Sequence, residues 1–286
     1  MMRVGFIGLG DQGAPMAQAI AESGHPLTVW ARRRETIDAV CSSFTFAVAE
    51  SVASLGAMSD IVALCVYQDT DVEELLLDGK LLESMPAGSV IVNHGTSSPT
   101  AAGRFAELAR KSQITMLDAP VSGGAERARS RTLSIMVGGD KEAFLQCQAL
   151  FATYATVVTH LGPPGSGQFA KLINNVLVSS NMRNAQQALL LADSLGFDVI
   201  ELGELILASS GSSRALEQLV RTDTDLFDHF QTALGKDISE FAAAVEGTAF
   251  PTADLVTAAR LGVAGMSDMV RLRAERSRNR SSDQAT

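Results

Sequence analysis

Hydrophobic and polar residues repeat with two different periods along this chain, and the change between them divides it in two. Up to residue 161, short apolar and β-branched runs recur between glycine, proline and polar clusters, at 3–7, 27–30, 45–48, 61–66, 90–93, 115–118, 133–137 and 156–159. Runs of that length and composition predict buried strands. Between most of them the apolar positions fall three and four apart, notably over 14–23, 101–111 and 143–154, which predicts helices. Strands alternating with helices build a mainly parallel sheet covered on both faces, so an α/β, doubly wound domain is expected over 1–161.

The segment Gly162-Pro163-Pro164-Gly165-Ser166-Gly167 breaks this pattern as a turn-rich junction. Beyond it the strand signal fades. Residues 168–195 predict one long helix closed by Gly196, followed by helices at 198–209, 213–220, 236–246, 252–261 and 267–273. Several start at Ser, Asp or Thr, whose side chains cap the first free N–H groups of a helix. The second domain, 162–286, is therefore expected to be all-helical and hung from the long helix. Its last stretch, 275–286, is polar without apolar period and is expected to be disordered.

Composition narrows the function. Hydrophobic residues make up 46% of the 286, enough for buried cores, while a formal net charge of −9 argues against a broad nucleic-acid surface. An anionic ligand must then be held by local features. Cys41, Cys65 and Cys147 are odd in number and widely spaced, and His25, His94, His160 and His229 lack metal-type spacing. The cysteines read as small core residues and no metal site is expected. No apolar run reaches the roughly 18–20 residues of a membrane span, and the amino terminus lacks a signal-peptide pattern. A cytoplasmic protein without membrane partner is the expectation.

Gly8-Leu9-Gly10-Asp11-Gln12-Gly13 fits GxGxxG between a predicted strand and a predicted helix. In that place the first glycine permits a tight turn, the second lets backbone approach a pyrophosphate, and the third lets helix and strand pack closely. The helix N-terminus then turns its free N–H groups toward the phosphates. All six residues are candidate cofactor contacts in a Rossmann-type domain, joined by Val66 at the end of the strand predicted over 61–66. Where NAD binders place an acid for the ribose hydroxyls, this chain has Trp30-Ala31-Arg32-Arg33-Arg34 and no acid before Glu35. Guanidinium pairs with a 2′-phosphate that a carboxylate would repel, so NADP is expected, with Arg32 the first contact and Arg33 the second.

Two later stretches bear on chemistry. Asp118-Ala119-Pro120-Val121-Ser122-Gly123-Gly124 follows a strand, at the carboxyl end of the sheet where such folds bind ligands. Ser122 with the N–H groups of Gly123 and Gly124 is suited to hold a carboxylate. Farther on, Lys171 and Asn175 follow the glycine-rich junction at i and i+4, on one face of the long helix. Oxidising an alcohol by hydride transfer needs a base for the hydroxyl proton, and the reverse needs an acid. A lysine lowered toward neutrality by burial and by the oxidised nicotinamide serves either direction, with Asn175 orienting the lysine or the substrate oxygens.

These blocks, in this order, resemble the β-hydroxyacid dehydrogenase family, whose best-known member oxidises 3-hydroxyisobutyrate and which includes 6-phosphogluconate dehydrogenase. The resemblance rests on the amino-terminal glycine loop, the block 118–124, Leu133–Gly139, the lead into Lys171 and Asn175, Lys236-Asp237 and Gly265–Asp268. It implies Lys171 as catalytic acid/base, with Ser122, Gly123 and Asn175 on the substrate. It also implies that Thr96 and Lys236 contact the cofactor, that His229 and Phe230 lie near the substrate pocket, and that the protein is a homodimer or homotetramer. Departures from the family pattern at Gln12, Asn93, Gly95 and Arg131 touch the site walls and bear on the substrate more than the reaction. Arg131 reads either as a ligand for a second anionic group or as a solvated residue, the latter favoured. Rival readings are an NADPH-dependent reductase of glyoxylate or succinic semialdehyde, an imine reductase, and a non-catalytic nucleotide-binding protein. Retention of Lys171 argues against the last two.

Overall fold

The computed structural model describes residues 1–40, 42–222 and 227–273. It divides into two compact units, Met1–Lys171 and Leu172–Thr286. Cys41 and the stretch 275–286, expected to be disordered, lie outside the described residues, as does the side chain of His229.

The first unit begins with β1 (Val4–Ile7), α1 (Gly13–Glu22), β2 (Leu27–Trp30), α2 (Arg34–Asp38) and β3 (Ala47–Val48). It continues through α3 (Val52–Ala57), β4 (Ile61–Leu64), α4 (Asp69–Leu76), α5 (Leu81–Ser84), β5 (Val90–Asn93) and α6 (Pro99–Lys111). Then come β6 (Thr115–Asp118), β7 (Val121–Ser122), α7 (Gly124–Arg129), β8 (Leu133–Gly138), α8 (Lys141–Phe151) and β9 (Ala155–Gly162). The sheet order is β3-β2-β1-β4-β5-β6-β8-β7, with β9 beside β8. Strands β1 to β6 pair parallel, whereas β8 runs antiparallel to β6 and β7. The mainly parallel, doubly wound sheet is thus present.

Its central strands β1, β4 and β5 are almost wholly apolar because both faces are buried. Along β4, Ile61 and Ala63 join one core while Val62 and Leu64 join the other, the alternation that a pleated strand imposes. Helix starts follow local chemistry. Ser98 accepts from Ala101 N–H at 3.0 Å with Pro99 in the first turn, and Asp140 accepts from Ala143 N–H at 2.8 Å. The strand predicted over 45–48 shrinks to Ala47–Val48, an exposed pair at the sheet edge. The two-residue β7 was not predicted, since Pro120 and Gly123 flank it and make the block read as a turn.

Helix α9 (Ser166–Ser194) runs from the first unit into the second. The second unit continues with α10 (Val199–Leu207), α11 (Arg214–Arg221), α12 (Phe227–Ala244), α13 (Ala253–Ala264) and a helical stretch at 266–273. Its described residues contain no strand. Asp198 caps α10 through the Ile200 and Glu201 N–H groups, and Ser213 caps α11 through Leu216 N–H. Helix α12 begins nine residues before the predicted 236, because Phe227, Leu234, Ile238 and Phe241 carry one buried stripe through the polar residues and Gly235. Helices α9 and α13 cross closely: Gln186 Nε2 donates to Gly262 O at 2.7 Å, and a Cβ on Gly262 would fall 1.9 Å from Ser179 O. Among the described residues no helix is long and apolar enough to cross a membrane.

Candidate active site

Four adjacent parallel strands end in the predicted cofactor residues. The loop Gly8–Gly13 follows β1, Arg32 and Arg33 follow β2, Val66 follows β4 and Thr96 follows β5. The chain reverses its direction of travel across the sheet between β1 and β4, and such a switch point opens a crevice at the carboxyl ends.

The glycine loop has the shape that a dinucleotide requires. Gly8 turns at φ 102°, and a Cβ there would meet Cys65 O at 2.2 Å. A Cβ on Gly13 would lie 1.8 Å from Gly8 O, so the start of α1 rests directly on the turn. Gly10 is the opposite case, exposed with open space where its Cβ would be. That is where a pyrophosphate can reach the backbone. Gln12, the N-cap of α1, makes no side-chain cap and no acid stands in the first turn, which leaves the positive end of the helix to a ligand. Leu9 sends its side chain into the core, 5% exposed, which leaves only its backbone for a ligand. Asp11 is exposed and Gln12 half-buried.

Arg32 and Arg33 are exposed beyond β2. Arg32 pairs with Asp71 of α4, and its Nη1 lies 4.0 Å from Glu74. Arg34 turns instead to Asp38, at 3.2 Å. Arg131 sits at φ 58° and pairs with Glu22 at the surface, its side chain 47% exposed. That pairing agrees with a surface residue better than with a substrate ligand.

A buried network ties the ends of β5 and β6 to the start of α9. Asp118, 4% exposed at the end of β6, accepts from Gly165 N–H at 2.8 Å and from Gln168 N–H at 2.9 Å. Burial pushes its carboxyl above the usual range, while backbone N–H groups of the 165–168 turn pull it back. A Cβ on Gly138 would lie 2.6 Å from this carboxylate, and one on Gly167 would lie 2.4 Å from Met136 O. The glycine-rich lead into α9 thus exists so that helix and sheet can touch. Gln168 completes the tie: its Oε1 accepts from Ser97 N–H at 2.9 Å and its Nε2 donates to Gly95 O at 2.8 Å, bracketing Thr96. Asn93 Oδ1 accepts from Gly95 N–H at 3.0 Å in the same loop.

One turn beyond Gln168 stands Lys171, half-buried on α9. Ser122, on β7, pairs with Ser134 of β8 and leads into Gly123 at φ 134° and Gly124 at φ 66°. His94, directly after β5, is 3% exposed. Its Nδ1 donates to Ala119 O at 2.8 Å, and its Nε2 accepts from the Tyr154 hydroxyl at 3.1 Å. Desolvation lowers its pKa to about 4, against the backbone contact to Ala119. Since the folded protein keeps His94 neutral while the unfolded chain takes up a proton near pH 6.5, stability is lost as pH falls from 6.5 toward 4. The expected loss is about 3 kcal/mol over that window. Denaturant titrations at several pH values should show it, and His94→Gln should flatten the slope there; an unchanged slope would refute the assignment.

Within the second unit, Asn175 is 7% exposed and its Nδ2 donates to Asp237 Oδ2 at 2.5 Å, while Asn174 Nδ2 donates to its Oδ1 at 3.0 Å. The buried carboxylate fixes which way the amide faces. Lys236, beside Asp237 on α12, is half-buried, as is Phe230. A depression of about 420 Å³ between α10 and α11 contains none of the predicted site residues, and its Glu204, Arg214, Glu217 and Arg221 pair among themselves. Among the described residues no cluster of His, Cys, Asp or Glu is able to hold a metal ion. Cys147 is buried in the core, and Cys65 is half-buried with its thiol pushed up to about 12 by desolvation.

Sequence reasoning missed the roles of Asp118, Gln168, His94 and Asp237. Asp118 was visible only as the first residue of a block, and no local signal marks partners 47 to 73 residues apart.

The chain is similar to known proteins along nearly its whole length. Residues 3–162 match a family model described as the NAD binding domain of 6-phosphogluconate dehydrogenase. Residues 165–270 match one described as NAD-binding of NADP-dependent 3-hydroxyisobutyrate dehydrogenase. The NAD-dependent L-serine dehydrogenase of Pseudomonas aeruginosa is 36% identical over 76% of this chain and 73% of its own. The 2-hydroxy-3-oxopropionate reductase of Escherichia coli is also 36% identical, over 76% of this chain and 74% of its own. Among solved structures, Mycobacterium tuberculosis 3-hydroxyisobutyrate dehydrogenase with L-serine superposes with a TM-score of 0.80 at 26% identity, covering 94% of each chain.

Proposed function

Because this chain belongs to the β-hydroxyacid dehydrogenase family, we propose that it moves a hydride between NADP(H) and a small β-hydroxy acid or the corresponding carbonyl acid, with Lys171 as general acid/base. The observation that carries this reading is the retained lysine on α9, whose first turn is anchored by Asp118 and Gln168 beside the predicted cofactor loops. The glycine loop, Val66 and Thr96 hold the dinucleotide, Arg32 and Arg33 meet its 2′-phosphate, and Lys236 adds a further cofactor contact. When bound, the nicotinamide would supply the hydride acceptor for oxidation of the carbinol carbon and the hydride donor for the reverse. The protein does the rest. Ser122 and the N–H groups of Gly123 and Gly124 bind the substrate carboxylate, and Asn175, oriented by Asp237, positions the reacting hydroxyl. Lys171 Nζ takes the hydroxyl proton on oxidation and gives it back on reduction.

Relatives acting on L-serine and on 2-hydroxy-3-oxopropionate support small hydroxy acids and their carbonyl partners as the substrate class. Initial rates of cofactor reduction with L-serine and 3-hydroxyisobutyrate, and of oxidation with 2-hydroxy-3-oxopropionate and short aldehydo acids, test the reading. Turnover with at least one is expected; turnover of cyclic imines alone would replace it by imine reduction.

One relative is NAD-dependent, so the choice of NADP rests on Arg32. Arg32→Gln should weaken NADPH about tenfold, since a charge-assisted contact contributes about 1.5 kcal/mol. Fluorescence titration should find NADH affinity nearly unchanged; equal losses for both would refute the assignment. We also place the protein in the cytoplasm and read it as a homodimer or homotetramer, the oligomer supported by exposed Leu177, Leu191, Leu195 and Phe197 on the helical unit. Light scattering that gives a monomer mass would contradict this.

A further inference from the structure

We propose that Asp71 is a specificity-determining residue: its carboxylate holds the Arg32 guanidinium and lowers the preference for a 2′-phosphorylated dinucleotide over the unphosphorylated one. The proposal rests on the reading that Arg32 meets the 2′-phosphate. Arg32 leaves the end of β2 with a side chain 56% exposed, yet its guanidinium is already committed. One edge pairs with Asp71 Oδ1, and Nη1 faces Glu74 at 4.0 Å.

Asp71 is not a mobile surface acid. Its side chain is 20% exposed, and its second oxygen accepts from Gln68 N–H at 3.1 Å, closing the start of α4. A carboxylate pinned through one oxygen stays in place when another anion arrives. A 2′-phosphate at Arg32 must therefore break the pair or share the guanidinium with a neighbouring negative charge. Sharing is open to a group with five N–H donors, but it sets a dianion beside Asp71 and near Glu74. The unphosphorylated cofactor meets no such penalty. The end of β2 carries the arginines of an NADP site, and the adjoining helix carries the acid that opposes it.

Asp71→Asn separates charge from shape, because the amide oxygen can still accept from Gln68 N–H. The measurement is the dissociation constant of NADPH and of NADH for the full-length protein and the variant, at low and high salt. NADPH should tighten about three- to tenfold at low salt and less at high salt, with NADH unchanged within about twofold. Unchanged NADPH affinity, or equal tightening of both, would overturn the proposal. Weaker NADH binding would also overturn it, since Asp71 would then be a ribose ligand. Arg32→Gln in parallel keeps the two failures apart. If it weakens both cofactors equally, the NADP reading fails whatever Asp71 does; if it is selective and Asp71→Asn is silent, only this proposal falls.

Discussion

Replacing Lys171 with alanine should lower kcat about a thousandfold, within the range that a positioned general acid/base contributes, or about 4 kcal/mol of barrier. The loss should appear in kcat and in kcat/KM, because the proton moves in the transition state and not on binding. NADPH affinity, read by fluorescence titration, should stay near the wild-type value, since Lys171 is not among the proposed cofactor contacts, most of which lie at the ends of β1, β2, β4 and β5. A variant keeping a tenth or more of the wild-type kcat would remove Lys171 from the acid/base role.

The second large effect is expected at Asp118. Alanine there leaves the Gly165 and Gln168 N–H groups buried without their acceptor. Each such group costs about 1–3 kcal/mol, partly offset because a buried charge is removed as well. The net loss should be about 3 kcal/mol, lowering the melting temperature by roughly 6–12 °C. Activity should fall more than folding alone explains, because the first turn of α9 carries Lys171 one turn farther on. Calorimetry and kcat measured well below the new melting temperature separate the two. Full kcat in the folded variant would show that the anchor serves stability only.

These two residues also show what was legible in the sequence. Lys171 was visible because its context is local: a glycine-rich junction, then a helical period with Asn175 one turn later. The doubly wound sheet was visible for a like reason, since burial on both faces makes each central strand an apolar run. Asp118 spoke only through position. Its partners lie 47 and 50 residues away, and nothing near it in the chain marks a helix cap supplied from another element. The same holds for Asn175 and Asp237, 62 residues apart, and for Arg32 and Asp71, 39 apart. Arg32 was singled out for the charge that it offers a phosphate, whereas the acid that it already faces belongs to the helix after β4. Boundaries slipped where local composition misled, as at α12, whose first turns hold polar residues and Gly235 within a continuous buried stripe.

Hydride transfer from the carbinol carbon of a β-hydroxy acid can be followed with an isotope at that carbon. The protein would be mixed with NADP and a β-hydroxy acid deuterated at that carbon, and the reduced cofactor analysed by mass spectrometry. Each reduced cofactor should carry one deuterium, the rate should be slower than with the protiated acid, and the signal should vanish in Lys171→Ala. Reduced cofactor without label, or none formed from any β-hydroxy acid while NADPH still binds, would contradict that transfer.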